Sequence, residues 1–355
     1  MNTPHLDDLH RAANARLAGD PPRPLTFGDA PAEYAAARTG AALFDRTDRG
    51  WVHVEGEEAA AFLHRLLANT VRTLAPGGGN RNLLLSSKGK VLYDFDLAVG
   101  EDGLDLSTSP GTAAGLIAAL DMYHFSEKVA FEDRSQRVAP LELVGPHADA
   151  IAASVLAGEL PAGDHAWSEA RFEGASVRVV RLDVAGRRGL RLDAGPEHAA
   201  ELWRALTGAG ARPAGRVVHD SLRAEVCAAE FGVDVDDTIY PQEARLEQAV
   251  SLDKGCYIGQ EVVAKIDTYG GLNKRLCTLA VDHDDPVATG TRLWREDGGE
   301  WRDLGVVTTW AYSFARDGGV VLAYIKRRHQ DPGTHFRIGD GPAVAQVLEV
   351  PVEST

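Results

Sequence analysis

The chain has 355 residues, a formal net charge of −15, 44% hydrophobic and 25% charged residues. That length allows two or three domains with sizeable cores. The acidic balance excludes a broad positive field, and with it non-specific binding to nucleic acid or anionic membrane.

Residues 1–24 read as a short polar helix followed by the Pro21-Pro22-Arg23-Pro24 linker, an N-terminal appendage. The first residues include His5, Asp7, Asp8, His10 and Arg11 with no apolar run, so no secretory leader is expected. Glu57 to Ala68 carries Phe62, Leu63, Leu66 and Leu67 at helical spacing. After the break at Pro76 and Gly77–Gly79 comes a hairpin with Lys88-Gly89-Lys90 at its turn. Its second strand alternates: Val91, Tyr93, Phe95, Leu97 and Val99 on one face, Asp94 and Asp96 on the other. A carboxylate face of this kind is ordinarily solvated. Further helices are expected near Ala113–Tyr123, Glu197–Thr207 and Arg216–Cys227, the last carrying Arg223 and Glu225. Strands are expected near Lys128–Glu132 and Pro140–Val144, and a second hairpin over Val177–Leu182 and Leu190–Leu192. From Leu276 onward, short strands near Leu276–Val281, Leu304–Thr309, Val320–Ile325 and Val344–Val350, spaced by glycines, predict a small barrel or sandwich. The fold class is α+β, not a doubly wound sheet. The basic run Lys326-Arg327-Arg328-His329 reads as a solvated strand end. No segment approaches the run of about 20 apolar residues that a membrane helix needs.

Three cysteines, Cys227, Cys256 and Cys277, make no metal or cluster spacing, so no stable metal is expected and a reducing cytoplasm suits them. Cys277 shares a strand face with Leu279 and Val281, and it and Cys227 read as core residues. Cys256 is different. It lies in Lys254-Gly255-Cys256-Tyr257-Ile258-Gly259-Gln260-Glu261, two residues after a cation that would favour its thiolate. Flanking glycines permit unusual backbone or close approach.

The whole octapeptide resembles the K-G-C-[FY]-x-G-Q-E signature of the YgfZ family, folate-binding relatives of the glycine-cleavage T-protein. Arg38–Gly50 is similar to the T-protein superfamily's R-x-x-x-G-L-F-D opening, and Val54-Glu55-Gly56, Phe62-Leu63 and Asn69-Thr70-Val71 to its next segment. Gly89–Leu97, Leu222-Arg223-Ala224-Glu225, Pro241-Gln242-Glu243, Gly305–Thr309 and Ala323-Tyr324-Ile325 resemble later blocks. The resemblance implies two interleaved α+β domains around a folate cavity over residues 25–274, with a middle part at about 135–212, and a C-terminal β-barrel over 275–355.

It also implies tetrahydrofolate or a one-carbon derivative as cofactor. Glu225 would pair with the pterin's amidine-like edge, with Arg223, Asp94, Tyr257, Gln260 and Glu261 as further contacts. Asp94 matches one member of the T-protein's acidic pair, the other position holding Tyr93; with Cys256 and Lys254 it makes up the candidate catalytic set. Two departures separate the chain from the transferase branch. Asp183–Gly189 stands where a G-Y-T-G-E segment is expected, and Cys256 has no T-protein counterpart. The implied function is folate-dependent support of iron–sulfur enzyme assembly or repair, affecting tRNA thiomethylation indirectly through a client, with iron–sulfur proteins as partners. The alternative is a tetrahydrofolate-dependent aminomethyl- or methyltransferase.

Overall fold

A polar turn at residues 46–49 separates two strands, Ala42–Asp45 and Gly50–Glu55, that belong to different sheets. The computed structural model describes residues 6–352; the first five residues, His5 among them, and the last three lie outside the described residues. The chain forms two units, one of Met1–Leu84, Tyr93–Val218 and Asp253–Ile258, the other of Leu85–Leu92, His219–Leu252 and Gly259–Thr355.

The first unit holds two sheets. One is six-stranded, in the order Trp167–Phe172, Ala175–Val184, Arg187–Ala194, Ala139–Val144, Ala42–Asp45 and Arg212–Pro213, antiparallel except for the last pair. Ala42–Asp45 therefore pairs with one strand about 100 residues downstream and another about 170 downstream, which is the interleaving the resemblance implied. Leu43, Leu141, Leu143, Val179, Leu190 and Leu192 bury against Ile151, Leu202 and Leu206 of the helices Ala148–Val155 and Pro196–Gly208. The other sheet is five-stranded, in the order Gly79–Leu85, Val91–Val99, Leu104–Thr108, Gly50–Glu55 and Ala130–Asp133. Phe95 and Leu97 pack with Phe62, Leu63 and Leu66 of the helix Ala59–Leu66, as the two periodicities predict.

The opposite face of Val91–Val99 departs from expectation. Asp94 is buried, and both aspartates are paired with arginines instead of water. Asp96 Oδ2 accepts from Arg49 Nη2 at 3.1 Å and from Arg191 Nη1 at 3.2 Å, so it ties the two sheets together. Arg191 also donates to Asp193 at 2.8 Å, and Arg46 to Glu142 at 3.3 Å. Each buried charge has a hydrogen-bonded partner, without which burial would be prohibitive.

The N-terminal segment is not an appendage. The helix Leu6–Ala12 buries Leu6 and His10; His10 Nε2 lies 2.9 Å from Asp45 Oδ2, and its ring meets Trp203 edge-on at 4.7 Å. A polar composition concealed one apolar face, on which a histidine is solvated by a carboxylate rather than by water.

In the second unit the strands Lys274–Val281, Gly318–Lys326, Glu300–Ser313, Arg292–Asp297, His335–Ile338 and Val344–Val347 close into a barrel. Closure comes from Leu279–Val281 pairing with Ala345–Val347, which leaves no edge and settles barrel over sandwich. Cys277, Leu279 and Val281 point into its core together. Lys326–Arg328 are exposed at a strand end. The helix Gln260–Tyr269 has no counterpart in the sequence reading: it is short, bounded by Gly259 and Gly270, and buries only Val263. Among the described residues no helix is long and apolar enough to cross a membrane.

The buried charges make stability pH-dependent. Burial alone would push the Asp105 carboxyl up, but the His53 hydrogen bond at 2.7 Å and the Arg178 guanidinium at 2.5 Å hold it at about 2. A carboxyl depressed on folding stabilises the native state above its unfolded pKa, and the contribution fades as pH falls through the folded value. We therefore predict a loss of about 2 kcal/mol between roughly pH 4 and pH 2 from this group. Urea melts across that range should show it in the native chain and show a flatter profile in Asp105→Asn.

Candidate functional site

The octapeptide is an irregular segment leading into a helix. Gly255 and Gly259 have φ of +97° and +80°, so both glycines serve backbone conformations that other residues resist. Gly259 caps Gln260–Tyr269, and a Cβ there would lie 2.5 Å from Ser86 O and 2.9 Å from Gly89 Cα. Within the second unit the octapeptide's end and the hairpin turn thus meet backbone to backbone. Gly89, at φ +74°, closes the turn through a 2.8 Å bond from its N–H to Ser86 O. Two motifs separated by some 170 residues are one packed feature. Gln260 and the exposed Glu261 occupy the helix's first turn, where a carboxylate complements the helix dipole.

Lys254, Cys256 and Tyr257 lie in the first unit. The Lys254 ammonium donates to His64 O and sits 5.3 Å from the centre of the Tyr257 ring. Its pairing is therefore with a carbonyl and a π face, and the cation that sequence proximity assigned to Cys256 is engaged elsewhere. Burial pulls the Lys254 amine down to about 8. Burial and the Lys254 charge also depress the His64 imidazole, whose Nδ1 accepts from Val71 N–H at 3.1 Å. Tyr257 is buried, its phenol is pushed up to about 12 by burial, and its hydroxyl has no hydrogen-bond partner. Cys256 is exposed, whereas Cys227 and Cys277 are buried. Burial raises both of those thiols, Cys277 to about 11.

Asp94 faces a different partner from any the sequence suggested. Arg81, on the neighbouring strand of the hairpin, grips it in a fork: Nε to Oδ1 at 2.9 Å and Nη2 to Oδ2 at 2.5 Å. Burial would lower the Arg81 guanidinium, but the Asp94 carboxylate more than reverses this. Both Asp94 oxygens thus accept from one guanidinium, the geometry of a bidentate pair.

In the second unit the L-R-x-E block holds structure together. Arg223 donates to Asp220 at 2.8 Å, Asp234 at 2.6 Å and Thr309 Oγ1 at 2.9 Å, a clamp between the helix Arg216–Glu225 and the barrel. A folate contact by Arg223, as the resemblance implied, would have to share the guanidinium with these protein acceptors. Glu225 is buried, and its Oε1 accepts from Ser221 Oγ at 3.2 Å, Ser313 Oγ at 2.8 Å and Ala315 N–H at 3.1 Å. That oxygen thus holds the end of the strand Glu300–Ser313. Sequence reasoning passed over Arg81, Arg49 and Arg191, because an arginine's partner across a sheet carries no local signal. Gln242 was quoted only as part of a motif, yet its Oε1 is buried without a partner while Nε2 donates to Val263 O at 3.2 Å. Among the described residues no group of three or more His, Cys, Asp or Glu is placed to hold a metal ion.

Two measurements follow from this geometry. Gly259→Ala should destabilise the chain by about 2–3 kcal/mol, from positive-φ strain and collision with the Ser86 carbonyl, read as a shifted urea midpoint. Iodoacetamide should alkylate one thiol rapidly in the native chain, and Cys256→Ser should remove that phase; a second thiol reacting as fast would contradict the burial of Cys227 and Cys277.

Comparison with known proteins places this geometry. Residues 8–254 match the GCVT N-terminal domain family, and residues 274–352 match the glycine cleavage T-protein C-terminal barrel domain. An aminomethyltransferase of Herpetosiphon aurantiacus is 29% identical over 99% of this chain and 98% of its own length. One from Rubrobacter xylanophilus is 30% identical, over 98% of this chain and 92% of its own. The crystal structure of the glycine cleavage system aminomethyltransferase T from Bartonella henselae superposes with a TM-score of 0.86 at 25% identity, covering 98% of this chain and 97% of that one. The chain therefore belongs to the glycine-cleavage T-protein (GcvT) family, with its two α+β domains and closed six-stranded C-terminal barrel.

Proposed function

We propose that this chain is a reduced-folate-binding protein of the GcvT family that acts as an accessory to iron–sulfur enzymes, in the manner of the YgfZ branch. The observation that carries this reading is Cys256: the one exposed cysteine among the described residues lies in the octapeptide that resembles that branch's signature. The Arg81 fork on Asp94 supports it, since a carboxylate bonded at both oxygens is poorly placed as a general base.

Tetrahydrofolate would supply a carrier for a one-carbon unit. The first unit has a group suited to it: the buried, unpartnered Tyr257 hydroxyl can donate to or accept from a polar heterocycle. Beside it, the Lys254 amine can donate. Asp94 is retained as a contact through its pair with Arg81, which presents a fixed, neutralised polar edge. Glu225 holds the end of the strand Glu300–Ser313, and Gln260 and Glu261 form the first turn of the octapeptide's helix. One thiol cannot hold a cluster, so Cys256 would touch a client's cluster transiently, with other ligands supplied by the partner.

The second reading is a tetrahydrofolate-dependent aminomethyl- or methyltransferase. The relatives favour it, because aminomethyltransferases align over nearly the whole chain. On that reading Asp94 must leave Arg81 during turnover.

A bacterial strain lacking its own YgfZ-type protein separates the two, supplied with the native chain or Cys256→Ala. The accessory reading expects the native chain alone to restore iron–sulfur enzyme activity and tRNA thiomethylation. It also expects purified protein not to turn over a methylamine-type donor with tetrahydrofolate. Turnover that Asp94→Asn abolishes and Cys256→Ala leaves intact would establish the transferase instead.

A further inference from the structure

The outer face of the barrel carries a groove of about 450 Å3. Strand alternation builds it. Leu293 and Phe336 bury in the barrel core, so their neighbours Trp294 and Arg337 face outward, opposite one another across two paired strands. Val344 stands opposite Arg337 on the next strand, and Trp301 opposite Glu296 on the adjoining hairpin arm. Pro342 adds to the lining. Trp301 is 54% exposed, an indole that the barrel's own core does not use. Single exposed apolar side chains need no explanation, but two indoles sharing one concave face with a proline and a valine have the make-up of a ligand site.

The charges in the groove are unbalanced. Two arginines line it, Arg295 and Arg337, against one carboxylate, Glu296. The Arg337 guanidinium lies over the Trp301 ring at 4.4 Å, and among the described residues it makes no hydrogen bond or ion pair; its Nε is buried without a partner. Arg295 donates to the His335 carbonyl at 3.3 Å and meets no carboxylate among the described residues. Arginines on the same hairpin behave otherwise: Arg292 pairs with Asp303 and Arg302 with Asp297, each at 3.4 Å. A guanidinium held over an indole and left without an acceptor is suited to a carboxylate, which it can grip by two parallel bonds. In a chain of net charge −15, a groove with an excess of unpaired arginine is a local exception.

We propose that this groove binds a small planar aromatic carboxylate, its ring against Trp294 and Trp301 and its carboxylate on Arg337. The volume suits a two-ring molecule. None of these residues enters the folate reading, so the two stand or fall separately.

The test is calorimetric titration of the full native chain with naphthoate and, separately, with its neutral analogue naphthamide. One equivalent of naphthoate should bind, at least roughly ten-fold tighter than the amide, the factor that hydrogen bonding to a charged group supplies. Arg337→Met should abolish that preference and leave amide binding in place, and Trp301→Ala should weaken both compounds. Thermal melts check that each variant keeps the native fold. Equal affinity for the two compounds, or no saturable binding of naphthoate, would overturn the proposal on the native chain alone, whatever the variants do. A preference that survives in folded Arg337→Met would overturn it as well, by taking the carboxylate away from that guanidinium.

Discussion

The carboxylate of Asp96 is the constraint on which the first unit turns. It stands on one sheet and receives Arg49 and Arg191, the second from the other sheet, so neither sheet can slip without stranding a buried charge. The chain's crossing between the sheets is built around the same chemistry. Arg46 reaches back to Glu142 and Arg49 forward to Asp96, from a turn of four residues. Such pairs are weak evidence for net stability, since well-packed apolar residues can do as well. In the alignment of the two sheets each of these charges has its partner.

The same hairpin that carries Asp96 carries Asp94, and the contrast between them bears on function. Asp96 is shared among structural arginines, while Asp94 is held by Arg81 from the adjacent strand. The acidic position that the resemblance implied at this hairpin is, at Asp94, closed by a guanidinium. The octapeptide adds what the hairpin withholds. It presents an exposed thiol, a desolvated amine and an unpaired phenol within four residues. Its last glycine rests on the hairpin's own turn. Chemistry resides in such sites and not in the fold, which both branches of the family share.

Much of the architecture was legible in the chain. Period-2 alternation at Tyr93, Phe95 and Leu97 placed that strand's buried face correctly, and helical spacing at Phe62, Leu63 and Leu66 did the same for its covering helix. Cys277 was legible as core because Leu279 and Val281 share its strand face. The N-terminal helix was not, because its burial depends on Asp45 and Trp203, far along the chain. The helix Gln260–Tyr269 escaped because two glycines bound it and a single valine is all it buries.

At the site the division is sharper. Residue order determined that a thiol sits between glycines two positions from a lysine, and that two aspartates share a strand face, because backbone periodicity is local. It did not determine what those groups touch. Lys254 turned to a carbonyl and a ring, Arg223 and Glu225 to the barrel, and Asp94 to Arg81. Long polar side chains choose among acceptors brought near by folding, and the cost of burying an unpaired charge makes that choice decisive. Local pattern sets which face a residue occupies; only the assembled sheets, helices and barrel set its partner.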